Sequence, residues 1–219
     1  MREAEAGPDI RQATPNDIDA CANVLARAFQ DDPGAIVFDP DPAGRAEMLP
    51  GFFRAFVAAS LSEGGDLVVA GDPIEGIASW FGPDRYGPSD EAMNANGFWD
   101  VLERWGPDVS RRLLAMTGEI ELQHERLISG PHYRLEFFGV DPSSQGSGIG
   151  SALMEHGHRI ADERSLPCCL ETFTEPNVRY YERRGYQIVG EYLVGDRVPV
   201  YAMIRPPNDG ISSSVAPAE

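Results

Sequence analysis

Two carboxylates sit inside apolar strand-like runs, Glu136 in "RLEFFGV" and Glu171 in "CLETF". Desolvation disfavours the ionised form of such a group and raises its pKa toward the range where it takes up a proton at neutral pH. Each is therefore a candidate general base, and each is equally readable as a strand residue on a wet face. His124 and His132 lie eight positions apart and titrate near neutrality without help. They form a second set of candidate bases, with solvated or structural roles as the alternative. Tyr180 and Tyr181 are adjacent phenols on a short helical stretch. Neighbours on a helix point about 100° apart, so only one of them faces a given reacting atom. Cys168 and Cys169 fall in "PCCLETF", a pattern of buried strand, and with Cys21 they read as reduced, buried thiols without the spacing of a zinc site.

A third kind of chemistry resides in "GVDPSSQGSGIGSAL", residues 139–153. An apolar run enters this glycine-rich turn and an amphipathic run leaves it. The N–H groups at the start of such a helix have no intrahelical partner and point one way, which favours an anion. The missing side chains at Gly146, Gly148 and Gly150 let a diphosphate approach the main chain. No lysine is present where a Walker loop needs one, and the G-x-G-x-G spacing, late in the chain, does not fit a dinucleotide fingerprint.

Several elements must position these groups. "IRQATPNDIDACANVLARAF" reads as a short strand entering an amphipathic helix, with Thr14, Pro15 and Asp17 at its start. Leu49, Phe52, Phe53, Phe56, Val57 and Leu61 form the apolar stripe of a second helix, with Pro50 near its first turn. "DLVVAG" and "IEGIASWFG" make a hairpin. Residues 85–130 interrupt the rhythm with a polar opening and two helical stretches, Phe98 to Trp105 and Val109 to Leu127, and read as a helical insertion. A strand over "HYRLEFFGV", the helix after the turn, a strand at "CCLETF", a short helix over 176–184 and a terminal strand pair complete a single domain spanning 9–205. The composition of 206–219 reads as a disordered tail.

The segment from Gln145 through Gly148 and Gly150 resembles motif A of the GCN5-related N-acetyltransferases (GNAT). "LETFTEPNVRYYERRGYQIVGE" resembles motif B, and the two cover roughly 132–192 in the order of that superfamily. The lead-in "HYRLEFFGVDP" is most similar to the puromycin N-acetyltransferase-like branch. The resemblance implies an α/β (α+β) fold: a mixed, mostly antiparallel twisted sheet of about six to seven strands, splayed at the cofactor site and flanked by helices. It implies acetyl-coenzyme A as co-substrate, with no metal, and transfer of its acetyl group to a primary amine by direct attack in a ternary complex. A non-catalytic acyl-coenzyme A sensor and an enzyme acting on a protein or peptide amine are the competing readings.

By the same resemblance Phe138, Gly139 and Val140 offer main-chain groups to the pantetheine arm, and the Val140 N–H is the oxyanion donor. Gln145, Gly146, Ser147, Gly148, Ile149, Gly150 and Ser151 clasp the pyrophosphate. Tyr181 protonates the departing thiolate, with Tyr180 as its rival. Asn177 contacts cofactor or caps a helix, and Arg183 or Arg184 meets a phosphate or the helix dipole. Ser147 departs from the Arg or Lys of many members, so one phosphate contact of the superfamily is missing. Trp80, Phe81 and Tyr86, with Phe98 and Trp99 nearby, form the expected acceptor wall, or alternatively a satellite core. The 85–130 insertion is a substrate lid, a dimer contact, or both.

Composition narrows the partners. The sequence holds 18 Lys and Arg against 35 Asp and Glu, a formal charge of -17, which argues against nucleic acid or an anionic membrane and favours a cationic or aromatic small-molecule amine. A 42% hydrophobic content suffices for a core. No apolar run spans a bilayer and the N-terminus lacks a signal-peptide pattern, so a cytoplasmic monomer or homodimer is expected.

Overall fold

The computed structural model describes residues 8–195 and 198–208. It is built on one seven-stranded sheet, formed by β1 (Ile10–Gln12), β2 (Asp66–Ala70), β3 (Gly76–Phe81), β4 (Tyr133–Val140), β5 (Cys168–Thr172), β6 (Gln187–Val194) and β7 (Val198–Arg205). The spatial order is β1-β2-β3-β4-β5-β7-β6, and every neighbouring pair is antiparallel except β4 and β5. The mostly antiparallel α/β architecture expected from the sequence is thus present.

Strand β4 is irregular on both edges. Toward β3, Ser79 pairs with Phe137 and Trp80 with Leu135, so Glu136 is the extra residue of a β-bulge. Toward β5, pairing stops after Tyr133 with Cys168 and Arg134 with Cys169. From Leu135 onward the two parallel strands part. This is the splay anticipated at the cofactor site.

Helices cover both faces. One hydrophobic layer holds α1 (Ile18–Phe29), α3 (Pro42–Ser62), α5 (Phe98–Trp105) and α6 (Pro107–Leu127) against the sheet, centred on Phe53, Val57, Leu67 and Ile77. The other holds α7 (Ile149–Glu163) and α8 (Glu175–Glu182), centred on Trp80, Leu153, Met154 and Leu170. In α7 the apolar positions Ile149, Leu153 and Met154 are buried, as 3.6-residue periodicity requires.

Two helix boundaries differ from the sequence reading. Helix α3 begins at Pro42 rather than near Pro50, because the Asp41 carboxylate accepts the Ala43 N–H and Pro42 occupies the first turn, a stronger start signal. Pro50 lies inside the helix. In "DDPGAIVF" the Asp32 carboxylate accepts the Gly34 N–H and starts a further helix, α2 (Pro33–Phe38). Within 85–130 the two expected helices are present, preceded by α4 (Asp90–Ala95), which Ser89 caps. The tail expectation falls, from residue 209, outside the described residues.

The Trp80 indole is fully buried beneath α7, at the point where Gly157 leaves room for it. A Cβ on Gly157 would overlap that ring. Gly157→Ala is therefore expected to lower stability by about 1–3 kcal/mol, as overpacking does, read as a lower urea midpoint, with Trp80→Phe in the same chain restoring part of the loss. An unchanged midpoint would show that helix and indole are not in this contact.

Candidate active site

The gap between β4 and β5 opens into a cleft of about 790 Å3 that crosses the sheet. Residues of the glycine turn line one end, α1, α3 and α6 the other, and the bulged strand runs between them.

At the turn end, Gly146 and Gly148 have φ of 82° and 91°, in the left-handed region where glycine is favoured. Gly148 is the N-cap of α7, and no side chain caps the helix there, so its first-turn N–H groups are available to an anion. Gly150 is small for a different reason. A Cβ there would come within 2.9 Å of the Tyr180 hydroxyl and 3.2 Å of the Phe138 ring, so the glycine lets α8 close onto the turn. Ser147 and Ile149 offer this end their main chain alone. Ser147 turns its hydroxyl to the Ser144 carbonyl at 2.6 Å, and the Ile149 side chain is buried against the sheet face near Gly76, so neither side chain lines the cleft. Gln145 and Ser151 do line it. Arg184 is fixed there by donating to Ser151 Oγ at 2.6 Å and to the Tyr180 carbonyl at 2.9 Å, with its guanidinium 3.5 Å above the Tyr180 ring.

The free edge of β4 follows. The Asp141 N–H donates to the Glu75 carbonyl on the β3 side at 2.7 Å. By alternation along an antiparallel pair, Phe138 and Val140 direct their main-chain groups away from β3 and into the gap, while Gly139 faces β3. Unpaired strand groups of this kind can receive an extended amide-bearing arm as a further strand. Asn177 is not the cap of α8: Thr174 is, accepting the Asn177 N–H at 3.3 Å, and Asn177 lines the cleft. Arg183 lines it as well.

Tyr180 and Tyr181 both reach the cleft. The Tyr180 ring stacks on Phe138, and its buried hydroxyl has no hydrogen-bond partner among the described residues. Tyr181 lies deeper, 7% exposed, and burial holds its phenol well above the ordinary value, with Tyr180 and Asp32 adding to the shift. It therefore keeps its proton through neutral pH.

At the centre, the guanidinium of Arg134 (3% exposed) faces three carboxylates: Glu121 at 2.8 Å, Glu136 at 3.2 Å and Glu171 at 3.4 Å. Their environments push two of these apart. Burial raises the Glu136 carboxyl, Arg134 opposes this, and the neighbouring Glu121 and Glu171 add to the rise, leaving it above the usual carboxylate range. One of its oxygens is buried without an aligned hydrogen bond. Burial would also raise Glu171, but Arg134 and the His124 ring N–H, 2.7 Å away, outweigh it and hold the group below its ordinary value. A pair split in this way has the chemistry to divide the work of proton acceptor and permanent anion.

The expected acceptor wall is not where the sequence put it. Trp80 is sealed under α7, Phe81 packs on Phe56 in the helical core, and Tyr86 stacks on His132; none of the three lines the cleft. Phe98 is buried against Phe52, and Trp99 is exposed on α5. The walls are instead Phe29, Phe52, Phe53 and Phe137, packed edge to face around Phe137, with Met116 and Ile120 of α6 opposite. Sequence reasoning missed Arg134, Glu121 and Asp32. The first was legible as the i−2 neighbour of Glu136 on one strand face; the other two reach the cleft only through packing of α6 and α2.

A family profile described as "Acetyltransferase (GNAT) domain" matches residues 110–188, which contain the bulged strand, the glycine turn and both tyrosines. The chain belongs to the GNAT superfamily. An uncharacterized N-acetyltransferase of Schizosaccharomyces pombe is 24% identical over 206 residues, 90% of this chain and 83% of its own. Among solved structures, the histone acetyltransferase HPA2 and related acetyltransferase from Corynebacterium glutamicum aligns with a TM-score of 0.64 at 24% identity, covering 92% of this chain and 97% of that one. Arylalkylamine N-acetyltransferase 2 from Aedes aegypti aligns at 0.58 and 14%, covering 93% and 100%. This GNAT protein is an N-acetyltransferase, and its superfamily implies acetyl-coenzyme A as co-substrate. Among the described residues no helix is long and apolar enough to cross a membrane.

The uncapped helix start, the free β4 edge and the unpartnered Tyr180 hydroxyl fit a phosphate-bearing thioester carrier. Gly148→Val, which places a branched side chain at φ 91°, is expected to weaken coenzyme A binding about tenfold, near 1.4 kcal/mol, by titration calorimetry. Equal affinity would remove the turn from the binding site.

Proposed function

We propose that this GNAT enzyme acetylates the primary amine of a small aromatic or hydrophobic molecule by direct attack in a ternary complex, with Glu136 as the general base and Tyr181 as the general acid. The observation that carries this reading is the position of Glu136. It is the bulge residue of β4, it lies where the turn half and the aromatic half of the cleft meet, and its carboxyl is raised toward the range of a useful base.

Acetyl-coenzyme A supplies the acetyl group as a thioester. The first-turn amides of α7 and the side chains of Asn177 and Arg183 hold its phosphate-bearing part, and the free edge of β4 aligns its arm. The Val140 N–H donates to the thioester oxygen, where negative charge grows during attack. The acceptor enters as an ammonium, drawn by Glu171 and Glu121, while its apolar part packs among Phe29, Phe52 and Phe53. Glu136 takes the ammonium proton, the neutral nitrogen attacks the thioester carbon, and the carbon–sulfur bond breaks as the Tyr181 phenol gives its proton to the departing sulfur; the second nitrogen proton, shed as the amide forms, restores the phenol. Tyr180 is the less suitable acid because its hydroxyl is turned to Gly150 and its ring is held by Arg184.

Direct transfer is supported by the state of the thiols. Cys21, Cys168 and Cys169 are each 0% exposed, and burial raises the first two to about 12 and the third well above its ordinary value. Thiols that stay protonated out of reach of the cleft make poor acyl acceptors. The chemistry of the wall supports an arylalkylamine-like acceptor, the class named for the Aedes aegypti neighbour.

A thiol-release screen across primary amines tests the reading: arylalkylamines are expected to turn over with higher kcat/KM than aliphatic polyamines, and a preference for polyamines would overturn the acceptor class. Since Glu136 must be ionised to act, activity is expected to rise with pH through its raised pKa. Glu136→Gln should lose that limb and about 10²–10⁴ in kcat, with coenzyme A affinity retained; wild-type turnover in this variant would exclude Glu136 as base. Tyr181→Phe should likewise depress kcat while binding the cofactor, and normal turnover at every pH would reassign the acid.

A further inference from the structure

Behind Glu171, on the side away from the cleft, His124 of α6 and His132, which precedes β4, lie buried at 3% and 2% exposure. Their four ring nitrogens can be accounted for one by one. His124 Nδ1 is 2.7 Å from the Glu171 carboxylate, which only accepts, so it carries a proton. His132 Nδ1 is 2.8 Å from the Gly130 carbonyl, also an acceptor, so it carries one too. The Tyr86 hydroxyl is 3.3 Å from the same nitrogen, but the two rings are parallel, 0° between planes and 4.1 Å between centroids. That hydroxyl lies over the imidazole face and not along the in-plane lone pair, so it does not replace the Nδ1 proton. The two remaining atoms, both Nε2, face one another at 2.9 Å. If each ring were neutral, two bare lone pairs would be in contact in a dry interior, a costly arrangement.

We propose that His124 and His132 share a single proton between their Nε2 atoms, so that the pair is a buried monocation that holds Glu171 as a carboxylate for the acceptor ammonium. This assignment rests on the reading of Glu171 and Glu136 given above. The 2.9 Å separation is that of a hydrogen bond between nitrogens. The Cys169 sulfur lies within 4.8 Å of a ring nitrogen of each histidine and completes a set of three possible metal donors. A tetrahedral ion with bonds of 2.0–2.1 Å would, however, set the two nitrogens roughly 3.3 Å apart. The shorter distance favours the proton.

The surroundings agree. Against the pair lie Glu171 and the Cys169 thiol from β5 and Tyr86 from the loop after β3; beyond Glu171, Arg134 and Glu136 from β4 and Glu121 from α6 complete the charged cluster, with Tyr192 from β6 close to it. Three carboxylates against the single guanidinium of Arg134 leave an excess of negative charge; the shared proton and an incoming ammonium together balance it. Burial, opposed by the bond to Gly130, lowers the tendency of His132 to charge. The Nδ1–H of His124 meets an anionic carboxylate and that of His132 a neutral carbonyl, so the shared proton is formally on His124, which donates both to Glu171 and to its neighbour. Both histidines are positioning residues, acting through Glu171.

Histidine-selective 15N NMR of the full-length wild-type protein tests this directly. Both Nδ1 atoms should be protonated, with one further slowly exchanging proton bridging the Nε2 atoms, and this pattern should persist from about pH 6 to pH 8, beyond the titration of an ordinary histidine. Two neutral rings in that range, or elemental analysis finding one equivalent of zinc with metallated Nε2 signals, would overturn the proposal. In a second arm, His132→Gln replaces the shared cation by a neutral amide donor. The acidic limb of kcat/KM should then move up by about one pH unit, because a positive charge near Glu136 has gone. A limb that stays in place would indicate a purely structural pair. The NMR result does not depend on turnover: if no amine releases thiol, the functional reading fails while the protonation of the pair is still decided.

Discussion

Strand β4 has one residue more than β3 can pair, and that residue is Glu136. The bulge twists the strand at the point where its pairing with β5 ends, so one local irregularity opens the sheet and presents a carboxylate in the opening. A regular strand would have used the main-chain groups of Phe138 and Val140 in a ladder with β5 and left no edge for a ligand. Closure of the sheet is maintained elsewhere, by the pairing of β5 with β7 over its whole length.

The opening concentrates charge in a dry place. Arg134 is buried, always ionised, and within reach of Glu121, Glu136 and Glu171. One guanidinium cannot satisfy three carboxylates equally, and the difference is settled by the remaining neighbours. Glu171 has the His124 N–H and remains an anion; Glu136 has no aligned donor and is pushed up. Two chemically identical side chains, close in space, thereby acquire different work. The same cluster explains how an acidic protein can serve a cofactor with phosphates. Negative charge is gathered around Arg134, while Arg183, Arg184 and the uncapped start of α7 lie at the turn end. Screening over about 8 Å at physiological salt separates the two.

The helices between β3 and β4 supply the far wall of the cleft. Leu113, Met116 and Ile120, three and four residues apart along α6, present one face to it together with Thr117 and Glu121, and His124 continues that face behind Glu171. A segment that interrupts the strand rhythm is thus part of the site. Asp39 secures its near end by accepting from the Trp105 indole at 2.7 Å.

Much was legible in the order of residues. Alternation and helical periodicity located all seven strands and most helices, because those patterns express local geometry and burial of one face. The glycine turn was legible because positive φ at Gly146 and Gly148 is a backbone requirement that a side chain would violate. Glu136, Glu171 and the two tyrosines stood out by type and context. Which carboxylate would be raised was not legible, since it depends on how Arg134 of β4 meets Glu121 and His124, both carried in by α6. Nor was the acceptor wall: Trp80 and Phe81 share a strand with the expected aromatic character, but the pleat sends one under α7 and the other into the helical core. The phenylalanines that line the cleft come instead from α1, α3 and β4. Sequence by itself determined the elements and the kinds of chemistry they carry; tertiary structure decided which groups meet, because pKa and access are set by neighbours distant in the chain.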